Sequence, residues 1–410
     1  MSGELEFHSQ SSTYASHRLH AFAAKFPPQL PHVFIEQLTQ PGDVVLDPMV
    51  GSGTTVVEAF LLERKGIGID IDPLARMICR VKTSRLQHET ALVSGGEVLS
   101  RASAVQSDGK SLNGILEQFD SASREFIDYW FLPETQKQIA SLIIAINELV
   151  DIRLREFLLL VLSSVIITKS GGVSLARDLA HSRPHRDNTK VPRNTYDQFR
   201  KSLIKSIQAL QELPTHRNGI LIKEGDARRL PVRNNSVDLI VTSPPYANAL
   251  DYMRAHKFSL VWLGHSISEL GEHRSKYIGS ERIQGELSEE LPEFTSTVLN
   301  HLAMLDTKKE RVVRKYFVEM KCVLREMLRV MKSETVSVVV VGPSTMRGYL
   351  IPTQDCLADV GQSLGFEVVG ITERRLDRNR RMMPARFTTN SQSMIEQRMH
   401  QEYIIAFVKP

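Results

Sequence analysis

Residues 44–55 read Val-Val-Leu-Asp-Pro-Met-Val-Gly-Ser-Gly-Thr-Thr. An apolar run closes on an aspartate, crosses a glycine-rich turn and opens a helix near Thr54. Strand, glycine turn and helix in that order form a nucleotide-type pocket. Gly51 and Gly53 carry no Cβ, so a ligand can approach the main chain, and the helix start offers unpaired amides to a carboxylate. Two phosphate-binding readings fail. A dinucleotide fingerprint would continue to a glycine at position 56, where the chain has Val56, and a phosphate-cradling loop ending in Gly109-Lys110-Ser111 would need glycine where Ala104 stands. What remains is Asp47 at the strand end, a carboxylate placed to receive an ammonium group.

Outward from this turn, residues 66–73, Gly-Ile-Gly-Ile-Asp-Ile-Asp-Pro, form a second short strand ending on acids. A ribose diol is the natural partner of such a carboxylate. Asp70 ends the apolar alternation and is assigned to the ribose, whereas Asp72, just before Pro73, is assigned as a helix cap. A third acid, Asp226, closes Ile220-Leu-Ile-Lys-Glu-Gly-Asp226 and could accept an adenine amino group. One strand-end aspartate alone is ordinarily a turn or cap residue; three beside a glycine loop describe a site.

Thr242-Ser-Pro-Pro-Tyr246 follows the apolar run Val237–Val241. Two successive prolines donate no backbone hydrogen bonds and fix their own φ angles, leaving the Ser243 and Pro244 carbonyls as acceptors for an exocyclic base amine. Tyr246 offers an aromatic face for a planar ring. Without the glycine loop, the same residues would describe a Pro-Pro turn with a core tyrosine.

Together these stretches resemble the amino-type DNA methyltransferases that use S-adenosylmethionine, whose catalytic motif reads Ser/Asp/Asn-Pro-Pro-aromatic. The resemblance implies a class I methyltransferase, Rossmann-like fold. It also implies catalytic residues Ser243, Pro244, Pro245 and Tyr246, and a methionine-holding loop of Asp47, Pro48, Gly51, Ser52, Gly53 and Thr54. The ribose acid falls on Asp70 and the adenine contact on Asp226. His20-Ala-Phe-Ala-Ala-Lys25-Phe26-Pro27-Pro-Gln-Leu30 resembles the family's cofactor-covering motif, which places Lys25, Phe26 and Pro27 at the cofactor; Tyr129-Trp-Phe131 also looks like members of the group. Serine at position 243 is similar to the enzymes that methylate N4 of cytosine, with N6 of adenine as the alternative. Serine and aspartate both accept from an amine, so the residue does not by itself choose the base. An RNA guanine-N2 methyltransferase and a non-catalytic DNA-binding protein are the other readings. The expected partner is double-stranded DNA, with a companion restriction endonuclease possible and the oligomeric state open.

The whole chain permits this. Its 410 residues are 42% hydrophobic, enough for a large core, and its net charge of +4 leaves clustering as the informative feature. Basic residues gather in His181–Arg193 and in Glu373–Arg386, either of which could grip a phosphate backbone, although a charge run is ordinarily a solvated face. His181 and His185 have Pro184 between them and no adjacent glutamate or nearby cysteine, so no metal site is expected. Cys79, Cys322 and Cys356 are widely separated, and none follows a proline, which disfavours a covalent carbon-methylating mechanism and fits a reducing cytoplasm. The apolar run Phe157–Ile167 is shorter than the about 18 residues of a membrane span, and the start of the chain lacks a signal-peptide pattern. A cytoplasmic protein without membrane contact is expected.

Strand-like runs at Val44–Asp47, Gly66–Asp70, Ile220–Glu224, Val237–Val241, Val336–Val341, Phe366–Ile371 and Tyr403–Val408 predict a doubly wound α/β sheet of seven mostly parallel strands. The resemblance implies that one of the last two is antiparallel. Residues 86–218 are far longer than a crossover and read as a helical insert, with helical spacing at Ile139–Val150, Phe157–Ile167 and Tyr196–Leu213. The catalytic domain is then 1–85 with 219–410. The insert is a candidate for DNA binding or target recognition, and polar residues 264–312 form a second candidate insertion.

Overall fold

The computed structural model describes residues 5–7, 10–108, 110–168, 172–177, 184–215, 219–247, 251–280, 289–376 and 401–410. The chain runs through α1 (Gln29–Leu38), β1 (Val44–Asp47), α2 (Thr54–Leu61), β2 (Lys65–Asp70) and α3 (Pro73–Lys82). Helices α4 (His88–Asp108), α5 (Lys110–Glu117), α6 (Ser121–Trp130), α7 (Pro133–Asn147) and α8 (Ile152–Ile166) follow, then the short pair β3 (Ala176–Arg177) and β4 (His185–Arg186), and α9 (Thr195–Gln211). Next come β5 (Ile220–Glu224), β6 (Val237–Thr242), α10 (Met253–Leu260), α11 (Ile267–Ser275), α12 (Glu293–Leu305) and α13 (Thr307–Val330). The chain closes with β7 (Met331–Val341), the hairpin β8 (Ser344–Met346) and β9 (Tyr349–Ile351), α14 (Thr353–Ser363), β10 (Glu367–Arg375) and β11 (Gln401–Val408).

Seven strands pair in the order β10-β11-β7-β6-β1-β2-β5. The pairings from β7 to β5 are parallel, while β11 is antiparallel to both β7 and β10. The order reverses at β1, with β2 and β5 on one side and β6 on the other. That reversal opens a crevice at the carboxyl ends, where open α/β sheets take their ligands. Alternation sorts the strand residues between two covering layers. Val45, Leu239, Val241 and Val338 pack with Leu30, Phe34 and Ile35 of α1. Leu46, Ile240 and Val339 pack with Tyr316, Phe317, Met320 and Leu324 of α13. Central strands covered on both faces are therefore nearly continuous apolar runs.

Residues 86–218 are mostly helical. Their core, including Leu142, Leu158 and Phe199, is continuous with Leu74 and Ile78 of α3 and with Phe258 and Trp262 after β6. Helices α7, α8 and α9 begin before the apolar period does. Pro133 occupies the first turn of α7, Asp151 accepts the Arg153 and Leu154 amides, and Asn194 accepts the Asp197 amide. Polar caps and first turns carry no apolar period, which is why spacing alone starts these helices late.

The 264–312 segment is not a detached insertion. It contains α11, α12 and the start of α13, which continues unbroken against the sheet. Of the basic clusters, His181–Arg183 and residues 377–386 lie outside the described residues. The rest of the first cluster carries β4, where Arg186 sits 4.4 Å over the Tyr129 ring.

Candidate active site

A cavity of about 660 Å³ opens at the carboxyl ends of β1, β2, β5 and β6. The strand ends contribute Asp47, Pro48, Gly51, Ser52, Thr54, Asp70, Asp226, Ser243 and Pro245; an amino-terminal strap contributes Phe22, Lys25 and Phe26. Sequence-distant segments thus meet because each ends a strand at the same edge, or crosses that edge. The strap is tied to α2 by Glu58, which accepts from the Tyr14 hydroxyl at 2.7 Å and lies 2.6 and 2.8 Å from His17 Nε2 and His32 Nδ1.

Asp47 accepts from Thr242 Oγ1 at 2.7 Å and from the Met49 amide at 3.2 Å, and burial pushes its carboxyl up to about 7. Asp70 accepts the Gly51 amide and the Asp72 amide, both at 2.9 Å, so this carboxylate also braces the glycine turn. Burial, then the nearby Asp72 charge, raises it to about 6. Among the described residues neither acid has a salt bridge to a side chain. A buried and a half-buried carboxyl, both short of a cation, suit a positively charged ligand.

Asp72 caps α3 through the Leu74 and Ala75 amides, as its place before Pro73 predicts. Its second oxygen accepts from the Tyr277 hydroxyl at 2.8 Å and sits 2.6 Å from His256 Nδ1. Burial would raise this carboxyl, but the charge and hydrogen bond of His256 hold it down at about 2. Both partners line the cavity. They come from the segment after β6, and no motif in the sequence marks them.

Four expected site residues lie outside the cavity lining: Pro27, Gly53, Pro244 and Tyr246. Gly53 has φ +80°, and a Cβ there would lie 2.8 Å from Cys79 Sγ. It therefore serves the packing of α2 on α3, while Gly51, at φ +46°, faces the cavity beside Phe22. Pro244 is buried in the loop. Tyr246 turns away from the cavity: its hydroxyl donates to Glu402 Oε1 at 3.0 Å, and its ring lies where a Cβ on Gly342 would come within 2.5 Å. The ring thus packs against the backbone just after β7, and its hydroxyl reaches β11.

Asp226 lines the cavity, but Arg228 takes both its oxygens, Nε at 2.9 Å and Nη2 at 2.6 Å. Burial opposes the charge, yet these bonds hold the carboxyl below its ordinary value. An adenine amino group would share this acid with Arg228.

A family model for N6/N4 DNA methylases matches residues 5–78, the stretch that carries the strap, the glycine turn and β2. The type II methyltransferase M.MvaI of Kocuria varians is 23% identical over 412 residues, covering 94% of this chain and 89% of that protein. By these matches the chain is similar to the S-adenosylmethionine-dependent DNA methyltransferases of the N6/N4 group. This methyltransferase uses S-adenosylmethionine, whose cationic sulfur suits a cavity holding Asp47 and Asp70.

The methyltransferase is also 24% identical to M.AvaI of Nostoc sp. over 362 residues, 79% of this chain and 73% of that protein. A shorter match to M.BglI of Bacillus subtilis reaches 54% over 50 residues, 12% of this chain and 14% of that protein. A TehB-like SAM-dependent methyltransferase from Corynebacterium glutamicum aligns over 93% of this chain and 87% of that one, at 9% identity and TM-score 0.30.

One further residue of this methyltransferase escaped the sequence reading. Lys82 is fully buried and donates to the Ser52 carbonyl at 2.7 Å, and burial lowers it to about 7. The spacing Leu74, Ile78, Lys82 puts it on the buried face of α3 and was the available signal. Among the described residues no helix is long and apolar enough to cross a membrane, and no group of three or more His, Cys, Asp or Glu is arranged to hold a metal.

Proposed function

We propose that the protein methylates the exocyclic N4 of cytosine in duplex DNA, as the modification partner of a type II restriction endonuclease. The observation that carries this reading is that Ser243 and the Gly51 turn open onto one cavity. The donor side and the acceptor side of a methyl transfer then face each other without packed side chains between them. The names of M.MvaI and M.AvaI, both type II methyltransferases, support the restriction–modification setting. The serine of the Ser-Pro-Pro-Tyr stretch supports cytosine over adenine.

In this reading Asp70 receives the ribose hydroxyls on the lone pairs left by the Gly51 and Asp72 amides. The glycine turn and Asp47 receive the methionine end, and Phe22 with Lys25 and Phe26 cover it. S-adenosylmethionine, when bound, supplies an electrophilic methyl group. The target base is rotated out of the duplex, at a cost of a few kcal/mol. Its amine donates a hydrogen bond to Ser243 Oγ, which draws nitrogen toward tetrahedral geometry and localises a lone pair otherwise spread into the ring. Methyl transfer to that nitrogen would break the sulfur–methyl bond in line and leave a neutral thioether, and the excess proton on the cationic amine would pass to water. No enzyme nucleophile is required. Tyr246 acts from behind, fixing the loop through Glu402. Residues 86–218, with Arg186 and Tyr129 on their surface, contact the duplex.

Incubation of the protein with tritiated S-adenosylmethionine and mixed-sequence DNA, followed by nucleoside separation, tests the reading. Label in N4-methyldeoxycytidine supports it; label confined to N6-methyldeoxyadenosine overturns the base assignment.

A further inference from the structure

We propose that Arg254 and Arg274 form a phosphodiester clamp at the mouth of the cavity, set by Asp251, which grips the DNA backbone beside the target nucleotide. This rests on the reading of the protein as a DNA-methylating enzyme. Arg254 lies in the first turn of α10 and Arg274 in the last turn of α11, yet both converge on Asp251 Oδ2, with Nε at 3.0 and 2.5 Å. All three residues line the cavity that holds Ser243. Because each guanidinium meets the carboxylate through Nε, its Nη edge is left over. Among the described residues neither Nη edge takes a partner. The two side chains are 34% and 43% exposed, as groups at a rim are.

The charge balance argues against a simple surface ion pair. One carboxylate faces two guanidiniums, and Lys276 lines the same rim. An excess of cations held this close asks for a further anion, and two forked donors side by side match the geometry of a phosphate. The strand ends add Asp47 and Asp70 to the lining of the same cavity. The acids come from strand ends, whereas Arg254, Arg274 and Lys276 come from the segment that follows the Ser-Pro-Pro-Tyr loop. The rival anion is the cofactor's own carboxylate, and it is separable by experiment.

The test measures affinity for a duplex fragment across a salt series, with cofactor affinity measured by calorimetry on the same preparations. Each phosphate contact contributes about 0.9 to the slope of log affinity against log salt. Arg254→Gln with Arg274→Gln should lower that slope by about 1 to 2, with cofactor affinity retained. Arg274→Gln alone keeps the Arg254–Asp251 pair, so it guards against misfolding, and it should lower the slope by about 1. Unchanged slopes in both variants overturn the clamp, and so does loss of cofactor affinity with the slope intact. Wild-type protein that binds cofactor but shows no salt-dependent affinity for duplex overturns the DNA reading itself, and the clamp with it.

Discussion

The Tyr246 hydroxyl donates to Glu402 Oε1 at 3.0 Å, joining the loop after β6 to the first turn of β11 across 156 residues. Glu402 is buried beside Arg374, 3.3 Å away, and burial raises its carboxyl despite that neighbour. The loop that presents Ser243 is thereby fixed from the side opposite the cavity. Glu402→Ala should lower turnover, and Glu402→Gln, which keeps an acceptor, should restore part of it. Gly342→Ala should act likewise, because its Cβ would lie 2.5 Å from the Tyr246 ring. Relieving that contact shifts the loop, and a misplacement of about 1 Å costs up to about a hundredfold in rate. Steady-state kinetics with unaltered cofactor binding would read both.

Ser243 and Asp70 should separate chemistry from binding. Ser243→Ala removes an acceptor for the reacting amine and should cut turnover by about a hundredfold or more while leaving cofactor affinity in place. Asp70→Ala removes a charged acceptor and frees the Gly51 amide, and should weaken cofactor binding by about 1.5–3 kcal/mol. Calorimetry and single-turnover methyl transfer on the two variants give the comparison.

Cofactor binding should depend on pH in a defined direction. Asp70 and Asp47 titrate at about 6 and about 7, so affinity for a cationic ligand should rise through that range and level off above it. For the ligand-free protein the sign is opposite. A carboxyl raised above its unfolded value of 3.8 contributes stability that is present below that pH and is lost as pH rises through about 7. Melting temperature should therefore fall more between pH 4 and 7 in wild type than in Asp47→Asn.

Gly53→Ala should destabilise the fold. The substitution forces a side chain into φ +80° and brings Cβ to 2.8 Å from Cys79 Sγ. The backbone strain alone amounts to about 1–2 kcal/mol. Thermal unfolding should show the loss, in contrast to Ser243→Ala, which should melt like wild type.

What the sequence discloses here follows from locality. Asp47, Asp70 and Ser243 are legible because each ends an apolar run, and a strand covered on both faces can only end at the ligand edge. Asp72 is legible as a cap because Pro73 follows it. The helices of residues 86–218 are legible by period. What stays hidden depends on partners far along the chain. Tyr246 looks like a stacking platform until Glu402 and Gly342 are seen beneath it. Asp226 looks available until Arg228 is seen folded back on both its oxygens. Gly53 looks like a ligand glycine until Cys79 is seen against it. His256 and Tyr277 carry no motif and reach the cavity only because Asp72 holds them there.

The most direct measurement of the central claim is expression in a host lacking DNA methylation, followed by sequencing that distinguishes modified cytosine from modified adenine. The account predicts N4-methylcytosine at one recurring sequence, absent when the Ser243→Ala protein is expressed instead. Unmodified DNA from the wild-type culture, or modification that persists in the variant, would contradict it.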